Sequence, residues 1–283
     1  MQRSRMRVAV NTAVSLSLVA IGIRTAPELL VGLSIAAAVG VSVEILAPLH
    51  EGRRSARSYV LDLTHALGDR AVIVPLVAVL VGIAEPAIET AFPSSFRAGF
   101  GSLPWAVQVA VTVVATDFAN YLIHRSLHRV GFLWAFHSVH HSSERLDWLA
   151  TSRVHPVDLA VNISVVTLPT IALGQVELVP WLVTFFFVYP FVTHANARVR
   201  LGAVGTVVVT PAFHHWHHAA ADEAHDRNFG MFLSVWDRMF GTAITTEEYP
   251  SAYGIESSDL DDLDFIGQMT QPFGAARAAV LAR

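Results

Sequence analysis

The sequence contains no cysteine and no lysine, and it has few charged residues of any kind. Without cysteine, disulfide bonds, thiolate metal sites and a cysteine nucleophile are excluded, so nitrogen and oxygen atoms must hold any bound metal. Charged residues make up 15% of the chain, against about 25% in ordinary soluble domains. Hydrophobic residues make up 53%, and the mean hydropathy is +0.48. Because so few charged residues are available to cover the surface, much of it can face lipid instead of water, and we expect a membrane protein.

No basic stripe interleaved with aromatic residues is present, which argues against a nucleic-acid partner. Apolar runs dominate instead, several of them near the roughly 20 residues that cross the hydrocarbon core as a helix. The first run follows a basic segment, residues 1–7, and no small-residue cleavage site comes after it, so we expect an uncleaved anchor. The predicted spans are residues 8–23, 29–49, 71–92, 103–123, 157–173 and 179–193.

The distribution of arginine predicts which side of the membrane each loop faces, because cytoplasmic flanks carry the excess of positive charge. With the N-terminus inside, only Arg24 and Arg97 of the nineteen basic residues face outward. Residues 124–156 and 194–283 then face the cytoplasm together, and they hold twelve of the fourteen histidines. We therefore expect the functional site at the cytoplasmic boundary of the membrane.

Three histidine clusters dominate these two segments. On a helix, residues three and four apart share a face, so each cluster offers a preformed pair or triple of imidazoles. Eight imidazoles exceed what one metal ion needs and suit two ions with open positions. Imidazole binds iron, zinc, copper and nickel, so the ligand type does not choose the metal. The eight are His124 and His128; His137, His140 and His141; and His214, His217 and His218.

The spacing His-x3-His, His-x2-His-His, His-x2-His-His resembles that of the fatty acid hydroxylase/sterol desaturase superfamily of membrane di-iron enzymes. The surrounding residues agree: Asp117 lies before the first cluster, Trp134 before the second, and Arg153 to Pro156 after it. Further agreement comes from His194 and Asn196, Thr210 and Pro211, Asn228 to Gly230, and Trp236 to Thr242. The resemblance covers about residues 60–242.

This resemblance implies an oxidoreductase that holds two iron ions, with zinc as a possible substitute, and uses O2 to oxidise a membrane lipid. Members hydroxylate, desaturate, demethylate sterols or cleave ether lipids, so neither reaction nor substrate is fixed. The chain contains no Rossmann or haem-attachment motif, which predicts a separate electron donor: a ferredoxin, a cytochrome or an NAD(P)H reductase. The acidic segment 247–264 is a possible docking site for the donor, but a solvated, partly disordered tail is the favoured interpretation.

The eight cluster histidines are therefore the predicted metal ligands, and His155 and His194 are candidates for a ninth and a tenth. His215 should point away, and His50, His65 and His225 are interpreted as ordinary hydrogen-bonding residues. A carboxylate two helical turns before His124, that of Asp117, could accept the N–H of this ligand and orient its ring. Weaker candidates for similar support are Asn196, Asp226, Asn228 and Asp237.

The predicted fold is all-α: a multi-pass transmembrane bundle with a cytoplasmic helical cap that carries a histidine-rich dimetal site. We expect anchor segments in residues 1–59, the catalytic membrane domain in 60–242, and a polar tail in 243–283. The leading functional hypothesis is a lipid hydroxylase or desaturase. The alternatives are a histidine-rich metal transporter and a zinc-dependent membrane hydrolase, in which Glu144 would be the general base.

Overall fold

The computed structural model describes residues 12–17, 19–21, 23–24, 28–51, 54–246, 248–255 and 259–281. Over these ranges the chain is helical and forms no β-strand, which confirms the all-α prediction. Short 3-10 helices lie at Trp148–Ser152, Val176–Leu178, Gly202–Thr206 and Asp222–Ala224. The α-helices are Glu28–Leu46 (α1), Ala56–Gly68 (α2), Arg70–Ala91 (α3), Ser94–Gly101 (α4), Trp105–Arg129 (α5), Gly131–His141 (α6), Pro156–Leu173 (α7), Val179–Thr193 (α8), Pro211–His217 (α9), Val235–Phe240 (α10) and Phe265–Leu281 (α11).

Three helical segments are long and apolar enough to cross a membrane: α5, α7 and Val176–Thr193, which contains α8. They confirm the spans predicted over 103–123, 157–173 and 179–193. A fourth span is possible where Leu76–Ala91 of α3 meets α4 at a bend of 81°. The apolar part of α1, Val31–Leu46, is shorter than a span, and the predicted segment 8–23 lies partly outside the described residues.

The termini of these helices follow from local sequence. The α7 helix begins at Pro156, which suits the first helical position because its missing N–H would be unpaired there. It ends at Leu173, and the C-cap residue Gly174 has a left-handed φ of +71°, which favours glycine. The α9 helix begins in the same way, with the Thr210 hydroxyl accepting from the Phe213 N–H ahead of Pro211.

The helix α7 is central, packing against α3, α5 and α8. An apolar cluster of Val166, Leu178, Leu182 and Phe186 joins α7 to the α8 segment. The consecutive spans α5, α7 and α8 run in alternating directions. The first ends at Arg129, the second begins at Pro156 and the third ends at Thr193. The end of α5, the start of α7 and the end of α8 therefore lie at one end of the bundle, and they carry the predicted histidines.

The C-terminal segment is not a solvated tail. Helix α11 packs against α6 and α2, and its Gln268 is fully buried, where its Oε1 accepts from His65 Nε2 at 2.8 Å. Before it, Tyr253 is buried against His215. The interpretation of 247–264 as a solvated tail is therefore wrong for the described part of that segment, where Tyr253 and Leu260 are buried, because composition alone does not show that such residues find a partner.

A buried ion-pair network also ties the N-terminal and C-terminal parts together. The Arg153 guanidinium is fully buried and donates to Asp62 at 2.7 Å and to Asp261. Arg54 contacts the other oxygen of Asp62 at 2.5 Å and Asp147 at 2.7 Å. The network lies beside the start of α7, so it fixes helix α2 against the loop that leads into the central span.

Candidate dimetal centre

Nine histidines converge at the end of the bundle, and each comes from a helix or its cap. His124 and His128 lie one turn apart near the end of α5, and α6 contributes three more. The short helix α9 contributes His214 and His217, and His218 is its C-cap residue. His194 is the C-cap residue of α8. The nine rings therefore reach one place from four helices, of which α5 and α6 are consecutive and α8 and α9 lie far along the chain.

The nine form two separate groups. Within each group, one ring nitrogen per histidine lies within 4.8 Å of the corresponding nitrogens of the others. The first group is His124, His128, His137, His141 and His217, and the second is His140, His194, His214 and His218. The groups are neighbours, because the rings of His141 and His218 stack with centroids 4.3 Å apart. All eight cluster histidines are brought together, and of the two additional candidates only His194 joins them.

In the second group the Nε2 atoms face one another. His194 Nε2 lies 3.2 Å from His140 Nε2 and 3.1 Å from His214 Nε2, and the latter lies 3.2 Å from His218 Nε2. Two imidazole nitrogens bound to one ion at about 2.1 Å, with an angle of about 90° to 109° between them, lie about 3.0 to 3.4 Å apart. The spacing of the ring nitrogens therefore fits a shared metal ion.

In the first group, His124 Nε2 lies 3.2 Å from His137 Nε2. The outer nitrogens are engaged elsewhere: His124 Nδ1 donates to the Phe229 carbonyl and His217 Nδ1 to the Arg227 carbonyl, each at 2.8 Å. A carbonyl only accepts, so each ring carries its hydrogen on Nδ1 and presents a lone pair at Nε2. This is the tautomer that a metal ligand needs.

Several buried ring nitrogens have no hydrogen-bond partner, namely Nε2 of His128, His141 and His217 and Nδ1 of His218. A buried polar atom without a partner costs about 1–3 kcal/mol, so four such atoms in one place require an explanation. Metal coordination supplies one for the three Nε2 atoms, which belong to the first group, since each would donate its lone pair to an ion. The residues therefore fit two nitrogen-ligated metal ions.

Burial keeps the imidazoles uncharged. Desolvation lowers the pKa of His140 to about 4, and it holds the pKa of His194, His214, His217 and His218 well below the usual value, with the neighbouring rings adding to the effect. A neutral imidazole has a free lone pair, whereas an imidazolium does not. The centre is thus poised to bind cations at neutral pH.

Asp158, in the first turn of α7, is a supporting residue that the sequence reasoning missed. Its Oδ2 lies 2.8 Å from His137 Nδ1, and its other oxygen accepts from Asn162 at 2.7 Å. The side chain is buried, so the carboxylate fixes the His137 ring and raises its basicity. The sequence signal for this role is the position of Asp158 at the start of an apolar span. A charged carboxylate there costs free energy unless it has a polar partner.

Replacing Asp158 by asparagine is expected to weaken metal binding to the first group by about 10- to 100-fold, because the amide cannot stabilise the His137 tautomer as the carboxylate does. The measurement is metal affinity of the purified protein in competition with a chelator. The exposed Asp222→Asn variant is the matched control. Wild-type affinity in Asp158→Asn would show that the carboxylate does not support the ligand.

Asp117 does not support His124 directly, contrary to the prediction. Its carboxylate accepts from the backbone N–H groups of Phe232 and Leu233 at 3.0 and 3.1 Å and from the Trp236 indole at 2.8 Å. Two turns of helix place Asp117 on the correct face, but the chain segment 229–236 lies between it and the histidines. Its role is therefore to hold that segment.

Asp237 holds the same segment from the other side, by accepting from the N–H groups of Phe229 and Gly230 at 2.8 and 2.7 Å. Because the Phe229 carbonyl receives the His124 hydrogen, Asp237 supports this ring through one intervening residue. Asn228, with a left-handed φ of 56°, donates to the Phe213 carbonyl at 2.8 Å and thereby joins the segment to α9.

Two further candidates lie at the edge of the centre. Asp226 contacts Arg129 at 2.8 Å, and its other oxygen lies 3.9 Å from His128 Nδ1. Asn196 contacts no histidine of the two groups; its side chain pairs with both backbone groups of His50 at 3.0 Å. Asn196 therefore anchors the segment after His194 to the end of α1.

His155 lies outside both groups. Its Nδ1 accepts from the Val157 N–H as the N-cap of α7, and its Nε2 lies 3.2 Å from the Met269 carbonyl. Both ring nitrogens are therefore occupied by helix contacts. His215 also lies outside the groups, with its ring nitrogens 2.8 Å from the Tyr253 hydroxyl and 3.1 Å from the Ala195 carbonyl.

Comparisons with known proteins agree with this geometry. The model of the fatty acid hydroxylase family matches residues 109–242, which contain all nine converging histidines. An ornithine lipid hydroxylase of Rhizobium tropici is 30% identical over 194 residues, covering 68% of this chain and 56% of that protein.

Alkylglycerol monooxygenases are similar over shorter stretches. The Caenorhabditis elegans enzyme is 30% identical over 152 residues, 50% of this chain and 28% of that protein. The Homo sapiens enzyme is 30% identical over 153 residues, 54% of this chain and 33% of that protein. This chain thus spans between about a quarter and about a half of the length of these relatives. No solved structure matches it.

Proposed function

We propose that this chain is a membrane enzyme that hydroxylates a C–H bond of a lipid. The chain belongs to the fatty acid hydroxylase family, whose model matches residues 109–242. The observation that carries the proposal is the pair of adjacent, buried, all-histidine groups at one end of the apolar bundle. Hydroxylation is preferred over desaturation because the relatives are named as a hydroxylase and as monooxygenases.

We assign one iron ion to each histidine group. Two iron ions bound there would supply the activation of O2, which side chains alone cannot perform. The overall reaction is R–H + O2 + 2e⁻ + 2H⁺ → R–OH + H2O, so two electrons must enter from outside. Their source would be a separate ferredoxin, cytochrome or NAD(P)H-dependent reductase.

The protein's own contribution is to position the imidazoles and to exclude water. Trp134 packs its ring against His128 and His141 at centroid distances of 5.0 and 5.4 Å, and Phe229 packs against His124 and His128 at 5.9 and 5.2 Å. These rings enclose the first group on two sides. A dry enclosure protects a strong oxidant from side reactions with solvent.

We propose that the centre faces the cytoplasm, since the arginine-rich segments flank the same end of the bundle as the histidines. A lipid in the adjacent leaflet would then place part of its chain beside the centre without leaving the membrane. The substrate class that we favour is a polar lipid with long alkyl chains, because the relatives' names refer to an ornithine lipid and to alkylglycerols.

The two alternative functions lack structural support in the described residues. A transporter needs ligands along the path through the membrane, whereas both histidine groups lie at one end of the bundle. A zinc hydrolase needs a general base beside the metal, and Glu144 is exposed and belongs to neither group.

The proposal is tested by expressing the wild-type chain and the His140→Ala variant in the same cells and comparing metal content, O2 consumption and the lipid profile. We expect about two iron ions per wild-type chain and a hydroxylated lipid that is absent from cells with His140→Ala. Identical lipid profiles with an iron-loaded wild type would refute lipid hydroxylation, and a wild type without iron would refute the assignment of the metal.

A further inference from the structure

His215 is a fully buried histidine that takes no part in either metal group. Its Nε2 lies 3.1 Å from the Ala195 carbonyl, which can only accept, so Nε2 carries the hydrogen. In the neutral ring, Nδ1 is then the acceptor and the Tyr253 hydroxyl, 2.8 Å away, is the donor. Both the tautomer and the orientation of the ring are therefore fixed.

The carbonyl that His215 binds belongs to the residue after His194. His194 ends helix α8, and its Nε2 lies within 3.2 Å of two other rings of the second group. Immediately beyond it the backbone leaves the helix and is held by other segments, including the Tyr249 hydroxyl, which donates to the Ala197 carbonyl at 3.0 Å. A shift of this segment would move the His194 ring away from its neighbours.

Helix α9 uses its two faces for different purposes. One face directs His214 and His217 to the metal groups, and the opposite face directs His215 to the segment that carries His194. The helix thus contributes a ring to the second group and also holds the backbone that contributes another. The tyrosines that enclose His215, at positions 249 and 253, lie beyond the matched residues 109–242.

We infer that His215, oriented by Tyr253, is a positioning residue that fixes the backbone at His194 and thereby sets the affinity of the second histidine group for its metal ion. This role rests on the proposed dimetal function. It predicts selective weakening of one metal site, whereas a residue that only stabilises the fold would affect both sites.

The test uses full-length protein in detergent micelles, stripped of metal and titrated with Zn²⁺ against a chromophoric chelator. In His215→Leu, which fills the site with an apolar side chain and removes the donor, we expect the affinity of one of two zinc ions to fall about 10- to 100-fold. His215→Gln keeps an N–H donor and should restore most of it. Tyr253→Phe should lower the same zinc affinity about 2- to 10-fold, which is the effect of one neutral hydrogen bond.

The matched control is His225→Gln, since this histidine is exposed and outside both groups. A wild-type protein that binds fewer than two zinc ions would overturn the dimetal proposal itself. Two ions bound with equal affinity by wild type and His215→Leu would overturn only the positioning role. Equal weakening of both ions, with a lower unfolding midpoint of the metal-free variant, would overturn it too, by showing a general structural role.

Discussion

His194→Ala is expected to abolish lipid oxidation and to lower the metal content of the purified protein from two ions to one. The second group has four rings, and the Nε2 atom of His194 is the one that lies within 3.2 Å of both His140 and His214. Without it, three rings remain around the position of the ion and one side is open. Helix α8 itself should persist, because His194 is its C-cap residue and not part of its interior.

The measurement is metal content together with substrate-dependent O2 consumption. His155→Asn is the matched control: it removes an imidazole that was an equally strong candidate from the sequence, while asparagine is a good N-cap for α7. We expect this control to keep two metals and most of its activity. The corresponding experiment on the first group is His137→Ala, which should also abolish activity but should remove the metal ion of that group. An active, fully metal-loaded His194→Ala protein would contradict the ligand assignment.

Arg153→Met is expected to destabilise the fold by about 3 kcal/mol. Removing one partner of a buried ion pair leaves an uncompensated charge and costs about 3–5 kcal/mol. We expect the lower end of this range of destabilisation because Arg54 still contacts the second oxygen of Asp62. Since Arg153 also contacts Asp261, the loss should loosen the C-terminal segment from the bundle.

The measurement is the free energy of unfolding in micelles, obtained from denaturant titration. Arg57→Met provides the control, because Arg57 and Asp262 form an exposed pair at 3.7 Å with exposed fractions of 58% and 88%. Such surface pairs contribute about 0–1 kcal/mol. Equal destabilisation by the two variants would mean that burial of the Arg153 network does not matter.

The helical clusters could be predicted from the sequence because spacing within a helix fixes which residues share a face. His137, His140 and His141 illustrate this, since three rings of one helix reach the centre together. The division of those rings between two groups could not be predicted. It depends on where the histidines of α9 lie relative to those of α6, and spacing along one helix contains no information on that placement.

The supporting residues were harder to predict, because they act across the tertiary structure. Asp117 and Asp158 are both buried carboxylates in apolar spans, and only the packing of the helices shows that Asp158 reaches His137 while Asp117 binds the 232–236 segment. Similarly, His155 and His194 are equally good candidates for additional metal ligands when only their positions in the sequence are considered. The first is engaged by α7 and α11, and the second projects from the end of α8 into the centre.

The order of the ligands along the chain determines when the enzyme can be assembled during biosynthesis. The first group is incomplete without His217, and the second without His214 and His218, all of which follow the last apolar span at Val176–Thr193. On the proposed function, neither histidine group can therefore be completed around a metal ion while the spans are still emerging from the ribosome. Maturation must follow membrane integration, so a nascent chain stalled before residue 214 would be integrated but inert.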